Sequence, residues 1–146
     1  MGISRVAFLF SKILLRGFIV NTVEFPEYIK QIIKEAKDVL YTGSKYICPT
    51  EPYADIDIMI LVDNIEKWEA EHTVDSKCTD VSYPDDDMVA FRIGIFNILI
   101  TSKLDYYMKW HFATKIAIEL NLVKKEDRKI LFKAILDNDG VKIEHL

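Results

Sequence analysis

The feature that most constrains the fold of this chain is an apolar run, Ile58-Met59-Ile60-Leu61-Val62, which directly follows Asp55-Ile56-Asp57. A short run rich in isoleucine and valine favours a strand. Because the run does not alternate between polar and apolar residues, both faces of this strand must be covered. Residues 54–62 therefore predict a central strand with other elements packed on both sides.

Helices and further strands are predicted around this central strand. The sequence indicates helices over residues 3–16, 26–38, 64–72, 105–120 and 124–136. It indicates strands over residues 39–42, 88–93 and 95–101, with a further strand inside the polar stretch 73–87. Residues 43–53 contain Gly43, Pro49 and Pro52, which predict a loop. We expect an α/β (α+β) fold, with a small mixed sheet of four or five strands flanked by helices.

The chain length suits a single domain. The 146 residues, half of them apolar, are enough to bury one core. We expect the domain to span residues 1–146, with 1–22 as an apolar N-terminal extension and 137–146 as a tail. The extension packs on the domain or on a partner, and binding to a membrane surface is the third interpretation.

Composition and charge narrow the class of function. The net charge of -4 provides no global case for nucleic-acid binding. Basic residues within 124–133 leave a local basic face open, but the acidic residues between them favour a solvated, ion-paired face. No uncharged apolar run approaches the roughly 18 residues needed to span a membrane. Cys48 and Cys78 lack metal-ligand spacing and indicate free thiols, so we expect a cytoplasmic protein.

The two acidic residues at the start of the central strand are candidate metal ligands. Alternate side chains of a strand point to the same face, so Asp55 and Asp57 are expected about 6.6 Å apart at the backbone. Two carboxylates this close repel each other, and a divalent cation between them reverses that interaction. Mg²⁺ binds one or two carboxylates together with phosphate oxygens. The pair therefore predicts a Mg²⁺ (or Mn²⁺) site beside a phosphate.

A Gly-Ser pair, Gly43-Ser44, ends the preceding apolar segment and is the candidate phosphate-binding element. Glycine allows the backbone to approach a phosphate closely, and serine supplies a hydroxyl and an N–H group. Candidate side chains to neutralise a triphosphate are Lys45, Arg92 and Lys103. Gly-Ser alone, or Asp-x-Asp alone, is more often a turn or a solvated strand end. Their combination predicts a nucleotide site.

The stretch 39–62 resembles the signature of the nucleotidyltransferase superfamily typified by DNA polymerase beta: an apolar strand, Gly-Ser, a variable loop, then Asp-apolar-Asp-apolar. The resemblance implies that Gly43 and Ser44 contact a nucleoside triphosphate (NTP), and that Asp55 and Asp57 ligate the catalytic metals. The helix over 26–38 and the short chain are similar to minimal members, including phage-encoded ones. A looser similarity extends through residues 96–132.

One position departs from that signature. Active members carry a third carboxylate on a later strand, and the matching inward position here is Asn97 in the strand 95–101. An amide oxygen can coordinate a metal, but an amide cannot act as a carboxylate base. Carboxylates from the adjacent loop, Asp80 or one of Asp85–Asp87, are the alternatives for this position.

Two hypotheses of different classes follow. The first is a Mg²⁺-dependent enzyme that transfers a nucleoside monophosphate from an NTP to a hydroxyl acceptor, with Asp55, Asp57 and Asn97 at the catalytic site. The second is a catalytically degenerate relative that binds a nucleotide, or that inhibits or regulates a protein partner through residues 1–20, in the host cytoplasm if the chain is phage-encoded. A nucleic-acid-binding accessory protein is a third hypothesis.

Overall fold

The structure is a computed structural model, which describes residues 24–72 and 80–137. The predicted helix over 3–16, the partner surface within 1–20, and residues 138–146 of the tail lie outside the described residues. In chain order the described elements are α1 (Glu27–Glu35), β1 (Asp38–Thr42), α2 (Gly43–Ile47), β2 (Ile56–Leu61), α3 (Ile65–His72), β3 (Asp80–Asp85), β4 (Met88–Ile93), β5 (Phe96–Thr101), α4 (Leu104–Glu119) and α5 (Lys125–Leu136).

The strands form one mixed sheet in the order β1-β2-β5-β4-β3. β2 and β5 pair in parallel, and the other neighbouring strands pair antiparallel. β2 lies inside the sheet, and its residues Ile58, Met59 and Ile60 are fully buried. The prediction of an α/β fold with a four- or five-stranded mixed sheet flanked by helices is confirmed.

Side chains of the sheet divide between two apolar layers. On one face Ile58, Phe91 and Ile98 cluster with side chains of α1 and α3, among them Trp68. On the opposite face Met59 and Leu99 cluster with Tyr106 and Tyr107 of α4, among others. Each residue of β2 after Asp57 therefore meets an apolar layer, which is why residues 58–61 show no polar alternation.

Two predicted elements, the helix over 26–38 and the central strand over 54–62, have boundaries that differ from the structure by two or more residues. The helix over 26–38 ends at Glu35, because Ala36 is extended and the Lys37 N–H donates to the Leu61 carbonyl at 2.8 Å, which draws the chain into the sheet. The central strand begins at Ile56, where the N–H donates to the Ile95 carbonyl at 2.9 Å.

The loop predicted over 43–53 contains the short helix α2. Gly43, with φ of +78°, turns the chain out of β1, and the Cys48 N–H closes the helical turn on the Ser44 carbonyl at 2.9 Å. Gly43 at the start of this helix and Pro49 shortly after it both disfavour helix, so local propensity predicted a loop.

No helix in the described part of the chain combines the length and the apolar character needed to cross a membrane.

A buried polar contact fixes β1 to α4. The Tyr107 hydroxyl donates to Asp38 Oδ2 at 2.5 Å, and the two residues are 0% and 3% exposed. His111 Nε2 lies 3.7 Å from the same oxygen. Burial, together with the hydrogen bond to Asp38, raises the pKa of Tyr107, so the phenol remains a proton donor.

We expect Tyr107→Phe to lower the free energy of unfolding by about 1–3 kcal/mol, because it leaves a buried carboxylate oxygen without its donor. Urea unfolding of Tyr107→Phe, Asp38→Asn and the double variant measures the coupling between the two side chains. Tyr53→Phe is the control, since Tyr53 is 40% exposed and should change stability by less than about 0.5 kcal/mol. Equal effects of the two tyrosine variants would contradict the assignment of Asp38–Tyr107 as a stabilising contact.

Candidate functional site

A row of polar residues crosses the sheet where β2 and β5 begin. Thr42 lies opposite Asp57, Asp57 opposite Asn97, and Asn97 opposite Arg92. Directly paired residues of neighbouring strands present their side chains to the same face. This face is the one covered by α4 further along the strands. In β3, the backbone of Asp80 is the register partner of Arg92, and the Asp80 side chain lies outside the described part of the chain.

Gly43 brings the backbone directly against Asp57. Its φ of +78° lies in the left-handed region that favours glycine. A Cβ at this position would lie 2.0 Å from Oδ2 of Asp57 and 2.7 Å from its Cγ. Both the backbone conformation and the close approach therefore require glycine at position 43.

The two carboxylates have different partners. Arg92 donates to both oxygens of Asp55, from Nη1 to Oδ1 at 3.0 Å and from Nη2 to Oδ2 at 3.2 Å. Asn97 Nδ2 donates to Asp57 Oδ1 at 2.9 Å. Asp55 lies just before β2 rather than within it, so it bends toward β4 while Asp57 faces β5.

These environments shift the two carboxyl groups in opposite directions. The hydrogen bonds from Arg92 hold the pKa of Asp55 below its usual value. Burial raises the pKa of Asp57, and the hydrogen bond from Asn97 opposes that effect. The positive charges of Arg92 and Lys125 also favour the ionised form of both groups. Asp57 is thus the carboxylate whose charge is the more costly to keep in this site.

Arg128 of α5 holds Ser44 in place. Its Nη2 donates to the Ser44 hydroxyl at 2.7 Å, and its Nη1 donates to the carbonyls of Leu122 and Val123 at 2.9 and 2.6 Å. Arg128 is only 9% exposed. One guanidinium group therefore ties the Gly-Ser turn to the connection between α4 and α5, with the multiple fixed donors that distinguish arginine from lysine.

Thr42, directly before the glycine, is anchored to α4. Its Oγ1 lies 2.8 Å from Oγ1 of Thr114, which donates to the Trp110 carbonyl at 2.8 Å. Because a hydroxyl carries one proton, Thr42 is the donor in the first of these bonds. Both threonines are almost fully buried, so the turn that follows Thr42 has a fixed starting point.

A cavity of about 570 Å³ opens onto the polar row. Within the described chain its wall includes the Gly-Ser turn, both carboxylates and three basic residues of α5, namely Lys125, Arg128 and Lys129. Arg128 and Lys129 follow Lys125 by three and four positions, so both lie on the same side of the helix as Lys125. With Arg92 they place four cations against two carboxylates, although the whole chain has a net charge of -4. The cavity can therefore accept an anion.

The structure gathers most of the predicted site residues at this cavity. Those that line it are Gly43, Ser44, Asp55, Asp57, Arg92 and Asn97. Lys45 and Lys103 do not line it. Lys45 is 8% exposed, burial lowers its pKa, and its Nζ lies 4.7 Å from the ring centre of Tyr53. Lys103 forms an ion pair with Asp87 in a separate cleft.

Asn97, the residue that the resemblance matches to the third carboxylate, lies opposite Asp57 in the sheet. Of the alternatives from the neighbouring loop, Asp87 pairs with Lys103 and Asp86 is exposed. Among residues 24–72 and 80–137, no three His, Cys, Asp or Glu side chains are grouped so that they could hold a metal ion. Asp55, Asp57 and Asn97 therefore place two carboxylates and one amide on this part of the cavity wall.

Sequence reasoning did not assign the α5 side of the cavity. Lys125, Arg128 and Lys129 were interpreted as a solvated face, because Glu126 and Asp127 separate them. The spacing of these three residues with Phe132 places all four on one helical face, and this pattern could have indicated that the face meets the rest of the protein. Trp110 of α4 also lines the cavity.

We expect Gly43→Ala to destabilise the protein more than Gly94→Ala. Both glycines have positive φ, +78° and +61°, so alanine introduces similar backbone strain of about 1–2 kcal/mol at each. A Cβ on Gly94 meets nothing within 4 Å, whereas a Cβ on Gly43 collides with Asp57. Chemical unfolding of the two variants measures the difference, which should exceed 1 kcal/mol. Equal destabilisation would show that Gly43 does not contact Asp57 so closely.

Comparison with known proteins bears on the fold. No protein-family model matches the chain, and no curated protein matches it. Among solved structures, it is similar to the crystal structure of the conserved protein GrpB from Enterococcus faecalis, with a TM-score of 0.50 and 17% sequence identity. The match covers 76% of this chain and 87% of that chain. At this identity the likeness concerns the fold alone. The mixed five-stranded sheet and its flanking helices are consistent with a nucleotidyltransferase-like fold.

Proposed function

We propose that this protein binds a nucleoside triphosphate in the cavity between the polar row and α5. The observation that carries the proposal is the excess of positive charge among the described residues of the cavity wall, in a chain whose net charge is negative. A cleft lined by one sign of charge concentrates ligands of the opposite sign. The cavity volume of about 570 Å³ falls within the range typical of small-molecule sites.

The basic residues have separable roles in this proposal. Arg128 is largely committed to Ser44 and to two carbonyl groups, so its contribution is to position the Gly-Ser turn. Lys125 and Lys129 of α5 are exposed and line the cavity, and they supply the charge that faces phosphate. The turn itself adds the backbone approach allowed by Gly43.

The donor set fits one Mg²⁺ ion. Asp55, Asp57 and the amide oxygen of Asn97 are hard oxygen donors on one wall of the cavity, and Mg²⁺ needs only one or two carboxylates when phosphate oxygens complete its shell. When bound, the ion neutralises phosphate charge and orients phosphate oxygens. Both oxygens of Asp55 accept from Arg92, so Arg92 would have to give up at least one of these bonds for Asp55 to hold a cation.

Transfer of a nucleoside monophosphate to a hydroxyl acceptor is the second candidate function. The observation in its favour is that Asp55 and Asp57 both line the cavity beside Gly43 and Ser44. The observation against it is Asn97, because an amide cannot accept the proton of an attacking hydroxyl. Binding without turnover is therefore the function that the geometry supports best. Phage origin and a role as an inhibitor remain hypotheses from the sequence.

We expect the wild-type protein to bind NTPs, and Lys125→Gln/Lys129→Gln to weaken that binding at least about tenfold, because each lost charge–phosphate contact is worth about 1.5–3 kcal/mol. Isothermal titration with each of the four NTPs, with and without Mg²⁺, measures the affinities. Lys133→Gln is the matched control on the same helix, since Lys133 is exposed and pairs with Asp137. No binding by the wild type, or equal binding by the double variant, would overturn the proposal.

Incubation with NTPs labelled at the α-phosphate and with cell extract separates binding from transfer. We expect the wild type to leave no label on an acceptor, and we expect Asn97→Asp to be the variant in which transfer appears, since it restores the third carboxylate. Label transferred by the wild type and lost in Asp57→Asn would replace the binding role with the enzymatic one.

A further inference from the structure

We propose that Trp110 of α4 and Phe132 of α5 form a base-binding corner in this cavity, so that the site recognises a nucleobase as well as phosphate. This inference rests on the proposed function and assigns the part of the cavity that the carboxylates and lysines leave unexplained. The ligand class that it names is a nucleotide with a stacked aromatic base, as opposed to an inorganic polyphosphate.

The two rings meet at the cavity wall. Their centres lie 5.1 Å apart at an interplanar angle of 65°, and both residues line the cavity. Neither side chain is fully buried. An edge-to-face pair leaves ring surface that the partner ring does not cover and that a ligand in the cavity could contact.

The floor of the cavity changes from polar to apolar along the sheet. In β5, Leu99 follows Asn97 by two residues, and in β4, Ala90 precedes Arg92 by two residues. Ala90 and Leu99 are register partners and both line the cavity. Because alternate residues share a face, an apolar row lies directly beside the polar row, about 6.6 Å further along the strands.

The face of α5 that lines the cavity also changes from charged to apolar along the helix. On α5 the basic residues that line the cavity are followed, on the same face, by Phe132. Lys125 and Phe132 are two helical turns apart, about 10 Å along the axis. Lys125 is close enough to both carboxylates to affect their ionisation. The charged end of the cavity is therefore at the carboxylates, and the aromatic corner lies at the far end of the α5 face.

A nucleotide has this same polarity, with anionic phosphates at one end and a flat aromatic base at the other. Phosphate alone uses only the charged end, whereas the apolar floor and the two rings suit the base. Stacking of a base on an aromatic side chain is tolerant of base identity, because every base has a π-face. The corner thus predicts affinity for nucleotides with little discrimination among bases.

Paired titrations of ATP and inorganic tripolyphosphate test the corner. We expect Trp110→Leu and Phe132→Leu each to weaken ATP binding about tenfold, the usual scale of one stacking contact, and to leave tripolyphosphate binding within about twofold. If the variants weaken neither ligand, or weaken both equally, the base-binding corner is overturned while the proposed function stands. If the wild type binds neither ligand, the proposed function fails with it.

Tryptophan fluorescence provides a readout that does not depend on the leucine variants. The chain has two tryptophans, and Trp68 lies on the opposite face of the sheet in a cluster with Phe91. In the Trp68→Phe protein, which keeps Trp110, we expect ATP to quench the emission and tripolyphosphate to leave it unchanged. In the Trp110→Phe protein we expect neither ligand to change the emission. Wild-type quenching that persists in Trp110→Phe would contradict stacking at the corner.

Discussion

The parallel pairing of β2 with β5 is the contact on which the candidate site depends. It places Asp57, the second residue of β2, opposite Asn97, the second residue of β5. The neighbouring antiparallel pairs extend this row, with Thr42 of β1 next to Asp57 and Arg92 of β4 next to Asn97. A shift of this register by one residue would turn the polar side chains to the opposite face, where α1 and α3 pack.

Interactions between the site's own side chains hold it in shape. Asp55 is paired with Arg92, Asp57 accepts from Asn97, and Ser44 accepts from Arg128. These contacts join β2 to β4, β2 to β5, and α2 to α5. The site is therefore assembled from elements far apart in sequence, and loss of one member leaves a polar partner without its bond in a partly buried place.

Features that depend on a short stretch of sequence were predicted, whereas features that depend on tertiary packing were not. The central strand, the Gly-Ser turn and the acidic pair are local patterns, and the described structure places them together. The basic face of α5 depends on which side of that helix meets the sheet, and Glu126 and Asp127 obscure that choice. Lys45 adjoins the Gly-Ser pair in sequence, yet the turn of α2 carries it toward Tyr53. Proximity along the chain was a poor guide to which cations face the cavity.

Asn97 connects the electrostatics of the site to its proposed function. As an amide it donates to Asp57, which a carboxylate at the same position could not do when ionised. Asp55 likewise has a donor in Arg92. Each carboxylate therefore has a hydrogen-bond donor from the chain itself, and the remaining positive charge of α5 faces the cavity. A third carboxylate would cancel part of that charge and would make a bound cation obligatory for the row. With an amide there, the same row favours holding an anionic ligand over deprotonating an acceptor.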